Sequence, residues 1–261
     1  MARKAVSDIA SYASLSLEGN LIAPAMIATI DQREAHEQTE ESYNVRKGLT
    51  LRDEISLAFR VGQAHYDGFA KRSETSAAGT ARFIRSFLTE TFGFSDFADA
   101  HAPLAFAAGE GRVPVVVVPP SDAIDRASAT LSTDRRRSAA FALQDWLNER
   151  DDALWGIATN GSTLRLLRDN DSLTRPAYIE ANLAQIFETE DIASFAVLWL
   201  LIHRTRFGKV GTPATDCALE RWRDAGAKEG QVARDKLASQ VERSEERRVG
   251  KECRSRWSPY H

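Results

Sequence analysis

The chain has 261 residues, with 34 Lys and Arg against 37 Asp and Glu and a formal charge of −3, which excludes a general polyanion binder and makes any basic surface local. Two cysteines and no apolar run of about eighteen residues exclude a disulfide scaffold and a membrane-spanning helix, and the expected location is cytoplasmic. The most apolar stretch, FAVLWLLI at 195–202, is flanked by Asp191 and by His203, Arg204 and Arg206, and reads as a buried helix.

Taken in order, the first fifty residues read as irregular: short apolar patches such as LIAPAMIATI at 21–30, then an acid-rich polar stretch. From Leu51 the spacing of Leu51, Ile55, Ala58, Phe59 and Phe69 predicts a helix, with Thr50 as N-cap and Glu54 in its first turn. A loop rich in Ser, Thr and Ala follows at 73–80. A second helix then carries Phe83, Ile84, Phe87, Leu88 and Thr91 on one face and stops at Gly93.

In PLAFAAGEGRVPVVVVPPSD, the β-branched run bounded by Pro114 and Pro119 is too short for a helix and predicts a buried strand. Gly109 and Gly111 supply the positive backbone angles of a tight turn, so LAFAA and this strand are expected to pair as an antiparallel hairpin. A helix is expected from about Arg135 to Arg150, with Ala139, Ala142, Leu143, Trp146 and Leu147 facing inward. LWGIAT at 154–159 reads as a strand, Asn160-Gly161 as a hairpin turn, and Thr163 to Arg168 as the returning strand.

Beyond Pro176 the reading is helical: a short element around Ile179 to Phe187, an apolar helix from Asp191 to Phe207, and a polar helix from about Thr215 to Glu242 that contains Gly226 and Gly230. These elements divide the chain into an irregular segment at 1–50, an α/β core at 51–175 and a helical connector at 176–242.

The end, RSEERRVGKECRSRWSPYH at 243–261, is basic with Trp257 and Tyr260 interleaved, which is how a phosphate-tracking segment reads. The same residues resemble a widely used sequencing-library adapter translated in frame, and they are set aside as non-native. Without their six basic and three acidic residues the formal charge moves from −3 to −6, and Cys217 is the remaining cysteine. On this reading the natural protein is expected to continue past Glu242.

The order helix, antiparallel strands, helix, strand resembles the restriction-endonuclease-like core, a mixed-sheet α/β (α+β) fold, here flanked by N-terminal and C-terminal helices. In that core an acid on one strand and an acid-x-lysine on the next hold Mg²⁺, which demands oxygen ligands, and activate water. The corresponding strand here reads Val115-Val116-Val117-Val118-Pro119-Pro120-Ser121-Asp122, and no lysine occurs between Lys71 and Lys209. An active Mg-dependent endonuclease would have to draw its ligands from Glu90, Asp96, Asp99, Glu110 and Asp122. Val118-Pro119-Pro120-Ser121 lacks both the acceptor and the stacking aromatic of an amino-methyltransferase loop, and reads as a strand terminator. The glycines at 109 and 111 lead into a strand rather than a helix, which favours a hairpin over a cofactor loop.

Candidate phosphate contacts are Arg135, Arg136 and Arg137 at a helix start, where cations oppose the dipole, and Asn160, Ser162, Arg165, Arg168 and Arg175 along the last strand and its turn. The five histidines show no ligand spacing, and Cys217 beside Leu219 and Trp222 reads as core.

The run from Ser138 to Phe207, and in it Trp155-Gly156-Ile157-Ala158-Thr159-Asn160-Gly161, resembles the amino-terminal region of large bacterial restriction-modification and phage-defence DNA methylases. These are type IIG-like enzymes that modify the exocyclic amine of adenine. The resemblance extends over most of 51–242 and is strongest at 138–207. It implies a nuclease-like front domain and a helical connector, followed by S-adenosylmethionine-dependent methylase and target-recognition domains. It also implies DNA, the methylase domain and other defence-system subunits as partners, with no membrane. S-adenosylmethionine would belong to the methylase part and Mg²⁺ to the endonuclease alternative, so this segment is expected to hold neither. No catalytic, cofactor-binding or metal-binding residue is assigned, and a protein-protein interaction module without DNA contact is the other open reading.

Overall fold

The computed structural model describes residues 12–72, 76–131, 137–170 and 176–255, with 241–255 described by backbone alone. In chain order the elements are β1 (Leu15–Glu18), α1 (Pro24–Asp31), α2 (Leu51–Lys71), α3 (Ala77–Phe92), β2 (Ala98–Asp99), β3 (Phe106–Ala108), β4 (Val113–Val117), α4 (Ala139–Asn148), β5 (Trp155–Thr159), β6 (Thr163–Arg168), β7 (Tyr178–Asn182), α5 (Leu183–Glu188), α6 (Ile192–Ile202), a 3-10 turn (Arg204–Phe207) and α7 (Ala218–Ser255). Short polar side chains start five of the helices, α2 to α6. The Thr50 hydroxyl accepts from the Asp53 amide at 3.2 Å while the Asp53 carboxylate accepts from the Thr50 amide at 3.0 Å, a reciprocal cap. Ser76, Ser138, Asn182 and Asp191 cap α3, α4, α5 and α6 by accepting from amides of the first turn.

The seven strands among the described residues form one mixed sheet in the order β1-β7-β6-β5-β4-β3-β2. Neighbours are antiparallel except β4 and β5, which run parallel with Val115 opposite Ile157. Parallel neighbours need a crossover connection, and α4 supplies it. This central pair is buried along its length, which is why VPVVV and WGIAT are nearly continuous apolar runs.

Side-chain alternation then sorts the core into two layers. Phe106, Val115, Val117, Ile157, Leu164, Leu166 and Ile179 face the larger layer, packed with side chains of α1, α2, α3, α5, α6 and the start of α7. Val116, Val118, Ala158 and Leu167 face α4, through Ala139, Leu143 and Leu147. Fully burying each such Val, Leu or Phe contributes roughly 1.5–3 kcal/mol relative to leaving it in water. No helix among the described residues is long and apolar enough to cross a membrane.

Several expected elements are corrected. The first fifty residues hold a strand and a helix, β1 and α1. The segment expected as a helix around Ile179 to Phe187 is a strand followed by a helix, divided at Asn182, whose side chain caps α5. Because β7 pairs with both β6 and β1, the sheet runs through the boundaries expected at residues 50 and 175. The helix expected from Arg135 begins at Ala139, since Ser138 provides its cap. The apolar helix ends at Ile202 rather than Phe207, and His203 separates it from the 3-10 turn. The connector contributes to the core as well: Trp199, Leu219 and Trp222 are buried, whereas α7 is exposed over 227–238.

Candidate nucleic-acid interface

Of the residues expected to contact phosphate, Arg135, Arg136 and Arg175 lie outside the described residues. Arg137 directly precedes the α4 cap, with its half-exposed guanidinium 3.3 Å from Asp145. Asn160 is buried and holds the β5–β6 turn: its carbonyl oxygen accepts from the Ser162 and Thr163 amides, and its amide donates to the Asp122 carbonyl at 3.0 Å. Ser162 meets the Tyr66 hydroxyl. The turn is therefore seated on α2 and α3 instead of forming an open edge.

Arg165 and Arg168 are likewise committed inside the fold. The Arg165 side chain is 4% exposed; it donates to Asp125 at 2.5 and 2.9 Å and to Glu180 at 2.8 and 2.5 Å, and its guanidinium carbon stands 3.8 Å from the centre of the Tyr178 ring. Burial opposes the charge, but these hydrogen bonds outweigh it and push the Arg165 pKa up, while the same bonds hold the Asp125 carboxyl below the usual range. Arg168 donates to both oxygens of buried Glu220 at 2.7 and 2.9 Å, and the Trp155 indole donates to the same carboxylate at 2.8 Å. Three residues apart on β6, Arg165 and Arg168 lie on opposite faces of the sheet, where Asp125 of the loop before α4 covers the one and Glu220 in the first turn of α7 the other.

A different basic surface is present. A cleft of about 580 Å³ opens between α3 and the β2–β4 end of the sheet. Ala77, Ala78 and Ala81 form its helical wall, Leu104, Phe106 and Val117 line the sheet side, and Thr130 and Leu131 close it from the loop. Arg82 and Arg85 stand on the helical wall and Asp99 on β2 opposite. Arg85 donates to Asp99 at 2.6 Å, with 39% and 91% of the two side chains exposed, and its guanidinium carbon lies 5.0 Å from the centre of the Phe106 ring. The three- and four-residue spacings from Ala78 to Arg82 to Arg85 are the sequence signal for this face, beside the apolar stripe that defines α3.

The carboxylates considered for a metal site have separate engagements. Glu90 pairs with His65 at 3.1 Å, Asp96 accepts from the Gly109 amide at 3.0 Å, Asp99 pairs with Arg85, and Asp122 accepts from the Ser128 and Ser121 hydroxyls. Glu110 stands in the β3–β4 turn. Among the described residues no three His, Cys, Asp or Glu side chains form a group that could hold a metal ion. Cys217 is buried in the core, where desolvation raises its thiol pKa. Arg206, which the sequence did not single out, is 1% exposed between the Tyr43 and Trp222 rings and donates to the Glu37 and Ser42 carbonyls at 2.6 Å each, tying the segment before α2 to the region after α6. Comparison with protein-family models, with curated proteins and with solved structures found no match to this chain.

Proposed function

We propose that α3 through β5 is a restriction-endonuclease-like core serving as the DNA-contacting front module of an adenine-modifying DNA methylase from a restriction or phage-defence system. The observation that carries the reading is the connectivity: α3, an antiparallel β2–β3–β4 meander, then α4 crossing to β5 parallel with β4, with an open cleft on the α3 side. Nucleases of this outline place their acid-x-lysine on the strand that β4 would represent. Here the cleft-facing side of that strand offers Val115 and Val117, which give Mg²⁺ no oxygen, while Arg82 and Arg85 at the rim are suited to phosphate. These residues favour holding a nucleic-acid backbone over hydrolysing it. S-adenosylmethionine is assigned no residue of this chain.

The test is anisotropy of a labelled duplex titrated with the chain, and with the chain ended at Glu242, across a series of salt concentrations. Affinity that falls steeply with salt, survives removal of the basic end and weakens in Arg82→Ala/Arg85→Ala supports the reading; absent or salt-insensitive binding sinks it. Magnesium-stimulated cleavage of the same duplex would overturn the non-hydrolytic part. A protein-docking module is the second reading, favoured by the exposed length of α7 over 227–238, which includes Val232 and Leu237. It predicts no DNA binding in the same titration.

A further inference from the structure

We propose that α7 is a jointed arm: residues 218–226 are fixed to the core, and the helix bends at Gly230, so that its exposed half changes direction against the sheet. The inference does not depend on whether the α3 cleft contacts DNA.

The fixed half is held from several sides. Leu219 and Trp222 are buried, and the Trp222 indole donates to the His36 carbonyl at 2.8 Å. The Glu220 carboxylate accepts from Arg168 at 2.7 and 2.9 Å and from Trp155 at 2.8 Å, while Arg221 holds Glu37 and Asp216. This hold ends at Gly226, which is buried against α1: a Cβ there would stand 3.0 Å from the Ala23 Cβ and 3.1 Å from that of Met26. Close packing therefore accounts for the first glycine of the helix. Gly230, one turn later, is exposed, and a Cβ there would meet nothing within 4 Å. Its backbone is helical, so no left-handed angle requires glycine either. What glycine does at such a position is make the helix about fivefold easier to open than alanine would.

Side-chain contacts leave a gap at the same place. Beyond it they run within the helix: Gln231 donates to Asp235 at 2.8 Å, Arg234 donates to Gln231 at 3.0 Å, and the Ser239 hydroxyl donates to the Lys236 carbonyl at 2.9 Å. Among the described residues no side-chain hydrogen bond or ion pair involves 227–230. A helix that is polar all round and packs on nothing is held by its backbone bonds and by such local pairs. The turn at 227–230 has no pairs, no packing and the poorest helix former of the exposed half, so bending concentrates there.

The experiment measures distances between spin labels on the full chain, in a Cys217→Ala/Cys253→Ser background, from exposed Ser56 on α2 to exposed Lys228 or to exposed Gln240, each replaced by a labelled cysteine. Expected are a narrow distribution from 56 to 228 and a broad one from 56 to 240, which Gly230→Ala narrows toward the first. Ser239→Ala, which strengthens the helix beyond the joint, should leave the width unchanged. A narrow 56-to-240 distribution in the parent, or a broad one that Gly230→Ala leaves as it is, overturns the joint. Equal narrowing by Ser239→Ala overturns it as well, because the arm then frays progressively from its far end. Amide hydrogen exchange on the unlabelled chain needs no cysteine replacement: exchange at 231–234, whose amides bond back to the carbonyls of 227–230, should slow about fivefold in Gly230→Ala. Unchanged exchange there overturns the proposal by itself.

Discussion

Arg165 on β6 and Glu180 on β7 are directly opposite in register, and the guanidinium reaches the carboxylate at 2.5 Å while also holding Asp125, forty residues upstream. One buried cation thus fastens two strands and the covering loop. Removing it leaves Glu180 facing β6 with no partner there, so Arg165→Ala is expected to lower stability by about 3 kcal/mol. Asp125→Asn should cost under about 1 kcal/mol, because that side chain is 66% exposed and water can replace its contact. Urea denaturation of the two variants checks the order; equal losses would mean that the loop, rather than the strand pair, depends on Arg165.

The difference between these two residues and their reading from sequence shows where legibility stopped. Local signals were sufficient for α2, α3, the β3–β4 hairpin and the β5–β6 hairpin, since caps, glycines and apolar spacing lie within each segment. Strand β7 was not legible, because Ile179, Leu183, Ile186 and Phe187 fit helical spacing and only pairing with β6 and β1 makes 178–182 extended. The one local clue was Asn182, a good cap in the middle of an apolar run. Without β7, Arg165 had no visible opposite number and looked outward. The α3 cleft is not visible in the sequence for a related reason: only β2 and the loop at Thr130 place a second wall opposite Arg82 and Arg85.

Two glycines with the same backbone handedness separate strain from crowding. Gly161 has φ +89° and a Cβ there would stand 2.5 Å from the Phe69 ring, whereas Gly111 has φ +97° and nothing within 4 Å. Alanine at Gly111 is expected to cost about 1–2 kcal/mol, the price of the left-handed conformation. Alanine at Gly161 adds the collision and should cost about 2–4 kcal/mol, with the β5–β6 turn lifted from α2. Thermal midpoints measure both, and equivalence of the two variants would mean that the turn yields without loss.

His203 makes stability depend on pH. Burial, aided by Arg206 and Arg204, pushes its pKa down from 6.5 to about 3, and its ring is held against Tyr43 and Trp199. Below about pH 6.5 the unfolded chain therefore binds a proton that the fold refuses. The contribution is complete above that pH and falls as pH drops, by at most about 1.4 kcal/mol per unit, until it is gone near pH 3. Asp125 and Asp191, whose carboxyls are held below their usual range, lose stability in the same direction as they protonate, so the comparison must be with a variant. In His203→Gln the decline between about pH 6.5 and 4.5 should be shallower than in the parent, in urea midpoints taken across that range. Parallel curves would show that the imidazole titrates freely in the fold.

The competing locations for a nucleic-acid surface differ in how deeply their arginines are buried, and that makes them separable. A guanidinium that meets a phosphate releases an ion from the DNA, and each such contact steepens the slope of log affinity against log salt by about 0.9. Arg82 and Arg85 stand at an open rim, so replacing both with alanine should flatten the slope by about 1.8 if both reach phosphate. Replacing Arg135, Arg136 and Arg137 should flatten it by up to about 2.7 on the same arithmetic. Arg165 and Arg168 are already neutralised by Asp125, Glu180 and Glu220, and have no charge to offer a phosphate without unfolding their surroundings. Conservative Arg165→Lys and Arg168→Lys variants should therefore lower thermal stability and leave the salt slope of the folded chain unchanged. A slope that responds to these two lysine substitutions while ignoring Arg82 and Arg85 would move the interface back to β6, and would require the loop at 118–131 to open when DNA binds.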